Sequence, residues 1–161
     1  MRRKDREIKE IKTIIQIIDK CDVCRLAFFD ENYPYIIPLN FGYSYNSNKD
    51  NLTLYFHGAT EGKKLDLSQK NNHVAFEMDC SKNLVNGETP CDYTMEFESI
   101  CGNGKIEILA DEDKIDGLKY IMKQYSDKKY NDIDFDEKVV EATVVFKLKV
   151  NEITGKKLKI N

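Results

Sequence analysis

The sequence predicts a mainly β domain, an antiparallel barrel or sandwich with peripheral helices. Three observations carry that expectation. Stretches rich in β-branched and aromatic residues recur along the chain. Turn-forming clusters such as DEN (30–32) and NSNKDN (46–51) join several of them closely. Segments with helical spacing are few, which argues against a parallel sheet in which every strand is followed by a helix.

Taken in order, residues 5–19 (DREIKEIKTIIQIID) place Ile8, Ile11, Ile14, Ile15 and Ile18 on one face, and the spacing predicts an amphipathic helix. VCRLAFF (23–29) reads as a strand. YPYIIPLNFGYSY (33–45) reads as a second extended run; Pro34 and Pro38 each remove a ladder donor and place it at an edge or bend. LTLYFHG (52–58) is a third strand, and KLDLSQKN (64–71) a helix. HVAFEMD (73–79) puts Val74, Phe76 and Met78 on one face of a fourth strand. Residues 80–92 read as a loop. MEFESICGNGKIEILA (95–110) is a long strand with a Gly-Asn-Gly kink that suggests a bulge or a barrel corner. DEDKIDGLKYIMKQYS (111–126) reads as a helix with an acidic first turn. Residues 141–160 supply a strand, a turn near Thr154 and Gly155, and a final short strand.

The 161 residues suit one domain, 1–161, with a core that needs no disulfide. Its 25 basic and 28 acidic residues are interspersed, so no broad positive field marks a nucleic-acid partner. No apolar run approaches the ~20 residues of a bilayer span, and MRRKDREIKEIK has charges with no apolar signal core behind them. The expected location is the cytoplasm, with no membrane partner. Five cysteines, at 21, 24, 80, 91 and 101, are expected reduced. Cys21 and Cys24 make a C-x-x-C, but no second pair completes a zinc set, and the strand-like RLAFF follows where a redox pair would open a helix. No metal site is expected.

The stretch YFHGATEGKKLDL (55–67) passes from strand to helix through a small-residue turn. Amide groups at a helix start, the positive end of its dipole, and Lys63 and Lys64 together suit an anion. A solvated GKK at a helix start is the alternative reading. It is not a P-loop: Gly58 and Gly62 are separated by three residues where four are required, and Lys64 stands where Ser or Thr would follow the lysine.

Several stretches together resemble the 5-nitroimidazole reductase branch of the pyridoxamine 5′-phosphate oxidase-like flavoproteins: MRRKDREI, CRLAF, YPYIIPLNFGY, LYFHGATEGKKLDL, VAFEMD and SICGNGKIEIL. The resemblance covers most of the chain and implies a six-stranded antiparallel split β-barrel, with the helix at about 5–19 and the barrel over about 22–160. It implies FMN as the cofactor, with its phosphate on Lys63 and Lys64. The backbone of Pro38, Leu39, Asn40, Phe41 and Gly42 would meet the edge of the flavin ring, and His57, Gly58 and Ala59 would contact the flavin. Ser99 would reach it from the partner subunit of a homodimer with two flavins at its interface. Pyridoxamine-phosphate oxidases proper carry an arginine beside the lysine and another on the strand aligned with 38–43. Here Lys63 stands in the pair and that strand has no arginine, so the phosphate grip is a point charge and not a bidentate fork.

The activity implied is an FMN-dependent oxidoreductase that reduces nitroaromatics of the 5-nitroimidazole type, with electrons from NADH, NADPH or another donor. His57 is the candidate proton donor; a strand-end histidine bonded to backbone is the alternative. Two other readings stay open. A pyridoxamine 5′-phosphate oxidase needs a second basic pocket, and Arg25 is the last arginine of the chain. A non-catalytic flavin- or haem-binding module needs no electron donor.

Overall fold

In the computed structural model, which describes residues 3–49 and 51–160, eight strands form one antiparallel sheet. They are β1 (Glu7–Ile8), β2 (Cys24–Phe28), β3 (Tyr35–Leu39), β4 (Gly42–Asn46), β5 (Asn51–Ala59), β6 (His73–Val85), β7 (Thr94–Ile108) and β8 (Thr143–Leu158). The order across the sheet is β3-β2-β6-β7-β8-β5-β4, with β1 added on β8. The two ends of this path, β3 and β4, are consecutive in sequence, with only Asn40 and Phe41 between them. The sheet therefore curls back to its own beginning without closing, and the cleft of the split barrel runs between β3 and β4.

Alternation along each strand fills the interior. Leu26 and Phe28 of β2, Leu54 and Phe56 of β5, Phe76 and Met78 of β6, Ile100 of β7, and Phe146 and Leu148 of β8 are buried in one cluster. Phe56 and Phe146 face each other across the β5–β8 ladder with ring centroids 5.4 Å apart. Each such side chain contributes about 1.5–3 kcal/mol by leaving water. Helix α1 (Ile11–Ile18) adds Ile14, Ile17 and Ile18 to the same cluster. Helix α2 (Lys63–Lys70) contributes Leu65 and Leu67, α3 (Lys114–Tyr125) packs on the outside of β4, β5 and β8, and α4 (Glu137–Glu141) precedes β8. Among the described residues, no helix is long and apolar enough to cross a membrane.

The expected six strands become eight for two reasons. The run 33–45 divides at Asn40 and Phe41, where the cleft falls, so its halves are opposite edges of the sheet. The amino-terminal helix begins at Ile11 and not near residue 5, because Glu7 and Ile8 pair with Lys156 and Gly155. Gly155 lets the strands approach closely there: a Cβ would stand 3.0 Å from the Cβ of Ile8. The expected turn at Thr154 and Gly155 is accordingly absent, and β8 runs unbroken through both residues.

The segment 80–92 is also only partly a loop, since β6 continues to Val85 past a bulge between Cys80 and Asn83, where Ser81 takes a φ of 56°. The Gly-Asn-Gly kink is a bulge as expected: the β7–β8 register shifts between Asn103 and Gly104.

Candidate functional site

At the end of β5 the strand's outer row runs Tyr55, His57, Ala59, while Phe56 points inward. Gly62 follows with a φ of 124°, a conformation that glycine adopts without a steric penalty, and α2 begins at Lys63. The N-cap offers no side-chain hydrogen bond to the first turn. The amides of Lys63 and Lys64 therefore have no side-chain cap from Gly62, while that of Leu65 donates to Gly62 O at 2.8 Å.

The two lysines behave differently. Lys64 folds back over the strand end, so that a Cβ on Gly58 would lie 2.7 Å from its Cε and 2.8 Å from its Nζ. The missing side chain of Gly58 is what gives the ammonium its seat. Lys63 turns the other way, to Asp30 Oδ2 at 2.6 Å, and its ammonium lies 5.3 Å from the centre of the Tyr35 ring. That pair raises the Lys63 pKa and lowers that of Asp30, each chiefly through their hydrogen bond. Asp30 precedes β3, so Lys63 ties the helix start to the β2–β3 turn.

Burial, and then the Lys64 ammonium, push the His57 pKa below its ordinary 6.5. The neutral imidazole is thus the favoured form in the fold. The stability this contributes is fully present above the unfolded value and is lost as pH falls through the depressed folded value. In an NMR titration the His57 midpoint is expected below 6.5. In a Lys64→Ala variant it should rise part of the way back, because the charge is removed and the burial is not. A midpoint unmoved by that substitution would mean that Lys64 is not beside the ring.

The segment Pro38–Gly42 carries the chain across the cleft. Pro38 stands on the edge strand β3 opposite Arg25, exposed, and Leu39 lies opposite Cys24. Asn40 Nδ2 reaches Asp22 O at 3.5 Å. The buried Phe41 anchors the crossing: its N–H donates to Tyr125 Oη at 2.9 Å, and the Tyr125 hydroxyl donates in turn to Asp22 O at 2.8 Å. One phenol thus bridges both lips of the cleft from the end of α3. Tyr125→Phe is expected to destabilise the fold by about 1–3 kcal/mol, since the Phe41 amide loses its acceptor; chemical denaturation measures it. Gly42 is closed off by α3, for a Cβ there would meet Tyr120 O at 2.2 Å.

Ser99 is not near these residues within one chain. It lies on β7 opposite Lys156, whereas His57 lies opposite Val145. Positions 145 and 156 of β8 are on the order of 30 Å apart along an extended strand. Ser99 is also opposite Asp79, whose carboxyl is held below the usual range first by Lys82 and also by Arg25. Arg25 Nη1 is bonded to Asp79 at 2.9 Å and to Glu77 at 3.0 Å. Two of the chain's cavities, of about 570 and 550 Å³, are lined respectively by Tyr55, Tyr120, Lys147 and Lys149 and by Ser68, Asn71, His73 and Ile106. His57, Gly58, Lys64 and Ser99 line neither, so His57, Gly58 and Lys64 form a wall more than a pocket.

The sequence reading missed Tyr125 and Asp30. Nothing local marks a tyrosine at a helix end as the acceptor for an amide 84 positions earlier, and Asp30 reads as an ordinary turn residue.

A family model described as pyridoxamine 5′-phosphate oxidase matches residues 10–157. The chain belongs to that family. Among solved structures, a candidate 5-nitroimidazole antibiotic resistance protein from Bacteroides thetaiotaomicron is 33% identical, with a TM-score of 0.78 over 94% of this chain and 86% of that one. Two more distant likenesses support the fold alone. A flavocytochrome from Azotobacter vinelandii has 16% identity and a TM-score of 0.78 over 99% of this chain and 72% of its own. A FAD- and heme-binding protein from Mycobacterium smegmatis has 15% identity and a TM-score of 0.80 over 96% and 74%. Among curated proteins, none matches the sequence.

Proposed function

We propose that this member of the pyridoxamine 5′-phosphate oxidase family is a cytoplasmic, FMN-dependent oxidoreductase that reduces nitroaromatic compounds of the 5-nitroimidazole type. The observation that carries the cofactor reading is the seat of Lys64 over Gly58 beside the uncapped start of α2. An ammonium seated at the strand end, together with a helix start that has no side-chain cap, suits the phosphate of FMN. The 33% identical relative, a candidate 5-nitroimidazole antibiotic resistance protein, supports the substrate class.

FMN bound there would supply the electron transfer from NADH, NADPH or another donor to the nitro group. The chain supplies position and protons. Lys64 and the first amides of α2 would hold the phosphate, and the backbone from Pro38 to Asn40, short of the buried Phe41 and of Gly42 under α3, would border the ring. His57, Gly58 and Ala59 line its approach. A phosphate beside Lys64 offsets the positive charge that holds the His57 pKa down, so the imidazole gains a proton more readily in the loaded site and can pass it from its ring nitrogen to a substrate oxygen.

The same reading takes the protein as a homodimer with two flavins at its interface. The distance between Ser99 and His57 within one chain supports it, because Ser99 would reach a flavin bound at His57 only from a second copy. The outer face of β3, β2, β6 and β7 is mixed, with Ile36, Pro38, Ala75 and Cys101 exposed around the Arg25–Glu77–Asp79 cluster, and a two-fold pairing would cover it.

The test is anaerobic. Purified protein is expected to be yellow, to release FMN on denaturation, to sediment as a dimer and, once reduced, to consume a 5-nitroimidazole and yield the amine. Oxidation of pyridoxamine 5′-phosphate with no loss of the nitro compound would assign the vitamin-oxidase activity instead. A flavin or haem that no donor reduces would leave a binding module.

A further inference from the structure

On the outer face of the sheet, α3 and three strands border the cavity of about 570 Å³. Leu52 and Leu54 of β5 point into the core, so Thr53 and Tyr55 point out. Ser44, Thr53 and Lys149 stand opposite one another in one row across β4, β5 and β8, and Tyr55 and Lys147 face each other in the next. Tyr120 of α3, stacked on Tyr55, makes a wall. These six side chains line the cavity, and no carboxylate among the described residues does.

Two observations point to an occupant. Thr53 is only 8% exposed, yet its hydroxyl has no hydrogen-bond partner among the described residues. A side chain buried to that degree ordinarily finds one. The charge is also unbalanced. Lys147 and Lys149 share a single carboxylate, that of Glu107, at 3.5 and 2.8 Å. Lys105, opposite Lys149 on the same face, pairs with no acid among the described residues. Three ammonium groups against one carboxylate leave a surplus of two positive charges beside a row of hydroxyls.

We infer that this cavity binds the phosphate monoester of a sugar. Such a group carries about −1.5 to −2 at neutral pH, which matches the surplus. Lys147 and Lys149 meet the phosphate as point charges, and the Thr53 hydroxyl between them and Ser44 donates to one of its oxygens. The volume exceeds what an inorganic phosphate fills, and the remaining groups suit a sugar. Ser44 Oγ and Tyr55 Oη, 3.3 Å apart, are donors and acceptors for its hydroxyls. The exposed part of the Tyr120 ring offers its C–H face an apolar contact. His57, Gly58 and Lys64 line no part of the cavity, so the inference stands independently of where a flavin lies.

The experiment is calorimetric titration of the purified full-length protein, with any flavin it carries, by ribose 5-phosphate, glucose 6-phosphate, inorganic phosphate and ribose. At least one sugar phosphate is expected to bind about tenfold or more tighter than inorganic phosphate, and ribose to give no heat. Lys147→Gln with Lys149→Gln should weaken that binding about tenfold or more, and Thr53→Val about threefold. Glu107→Gln should tighten it, because both lysines lose their competitor; a merely structural role for the ion pairs would not give that sign. Amide shifts on titrating the unmutated protein should cluster at residues 44, 53, 55, 147 and 149, a readout that needs no variant to fold. Shifts confined elsewhere, no heat with either sugar phosphate, or inorganic phosphate binding as tightly as both would each overturn the inference. So would binding that survives loss of the two lysines, or that is lost in Lys64→Ala, which would put the probe at the start of α2.

Discussion

Gly42→Ala is expected to lower the stability of the fold by about 3 kcal/mol or more, the upper end of what overpacking costs. The added methyl would stand 2.2 Å from Tyr120 O, 2.3 Å from Tyr120 C and 2.4 Å from Ile121 N. All three atoms are helix backbone, so relief requires α3 to move as a body. Helix α3 is held on this face by several contacts that would be lost together. Tyr120 stacks on Tyr55 with ring centroids 4.6 Å apart. Gln124 Nε2 donates to Ile18 O and Cys21 O, each at 3.0 Å, and Tyr125 bridges the cleft.

Gly58→Ala is the matched control. Its methyl would overlap only Lys64 Cε and Nζ, the far end of a flexible chain that swings aside at little cost in stability. Urea titration of the two variants separates the cases. Equal midpoints would mean that α3 does not lie on β4 as described.

The same glycine shows how far the sequence could be read. The resemblance implies that residues 38–42 meet the flavin edge, and those residues do carry the chain from β3 to β4. The visitor at Gly42 is α3, some 80 positions later, and no local pattern names it. Periodicity located strands β2, β5, β6 and β7 and helices α2 and α3 to within a few residues, except that β6 runs on past the expected loop, because burial on one face dictates each of them. It misplaced Ile8, which has helical spacing from Ile11 and Ile15 yet pairs in a strand: the deciding partner, Gly155, lies at the other end of the chain. At the site, strand end, turn and helix start were legible in HGATEGKK. Which lysine folds back was not, because Asp30, which claims Lys63, is set by the approach of the β2–β3 turn to α2.

That division of labour sets the expectation for flavin affinity. Lys64→Ala should weaken FMN binding by about 1.5–3 kcal/mol, the range for a lost hydrogen bond to a charged group. Lys63→Ala should cost less than about 1 kcal/mol, because its ammonium is exposed and already paired with Asp30, and an exposed pair contributes little. The double variant should therefore resemble Lys64→Ala alone. Asp30→Asn is the reciprocal test: it releases Lys63 toward the start of α2 and should leave affinity unchanged or tighter. Lysine holds phosphate as a point charge, so added salt should weaken binding to the unmutated protein more than to Lys64→Ala. Quenching of FMN fluorescence gives each dissociation constant. A larger loss at Lys63 than at Lys64 would place the phosphate on the Asp30 side of the helix start, and equal affinities for the unmutated protein and the three lysine variants would remove it from α2.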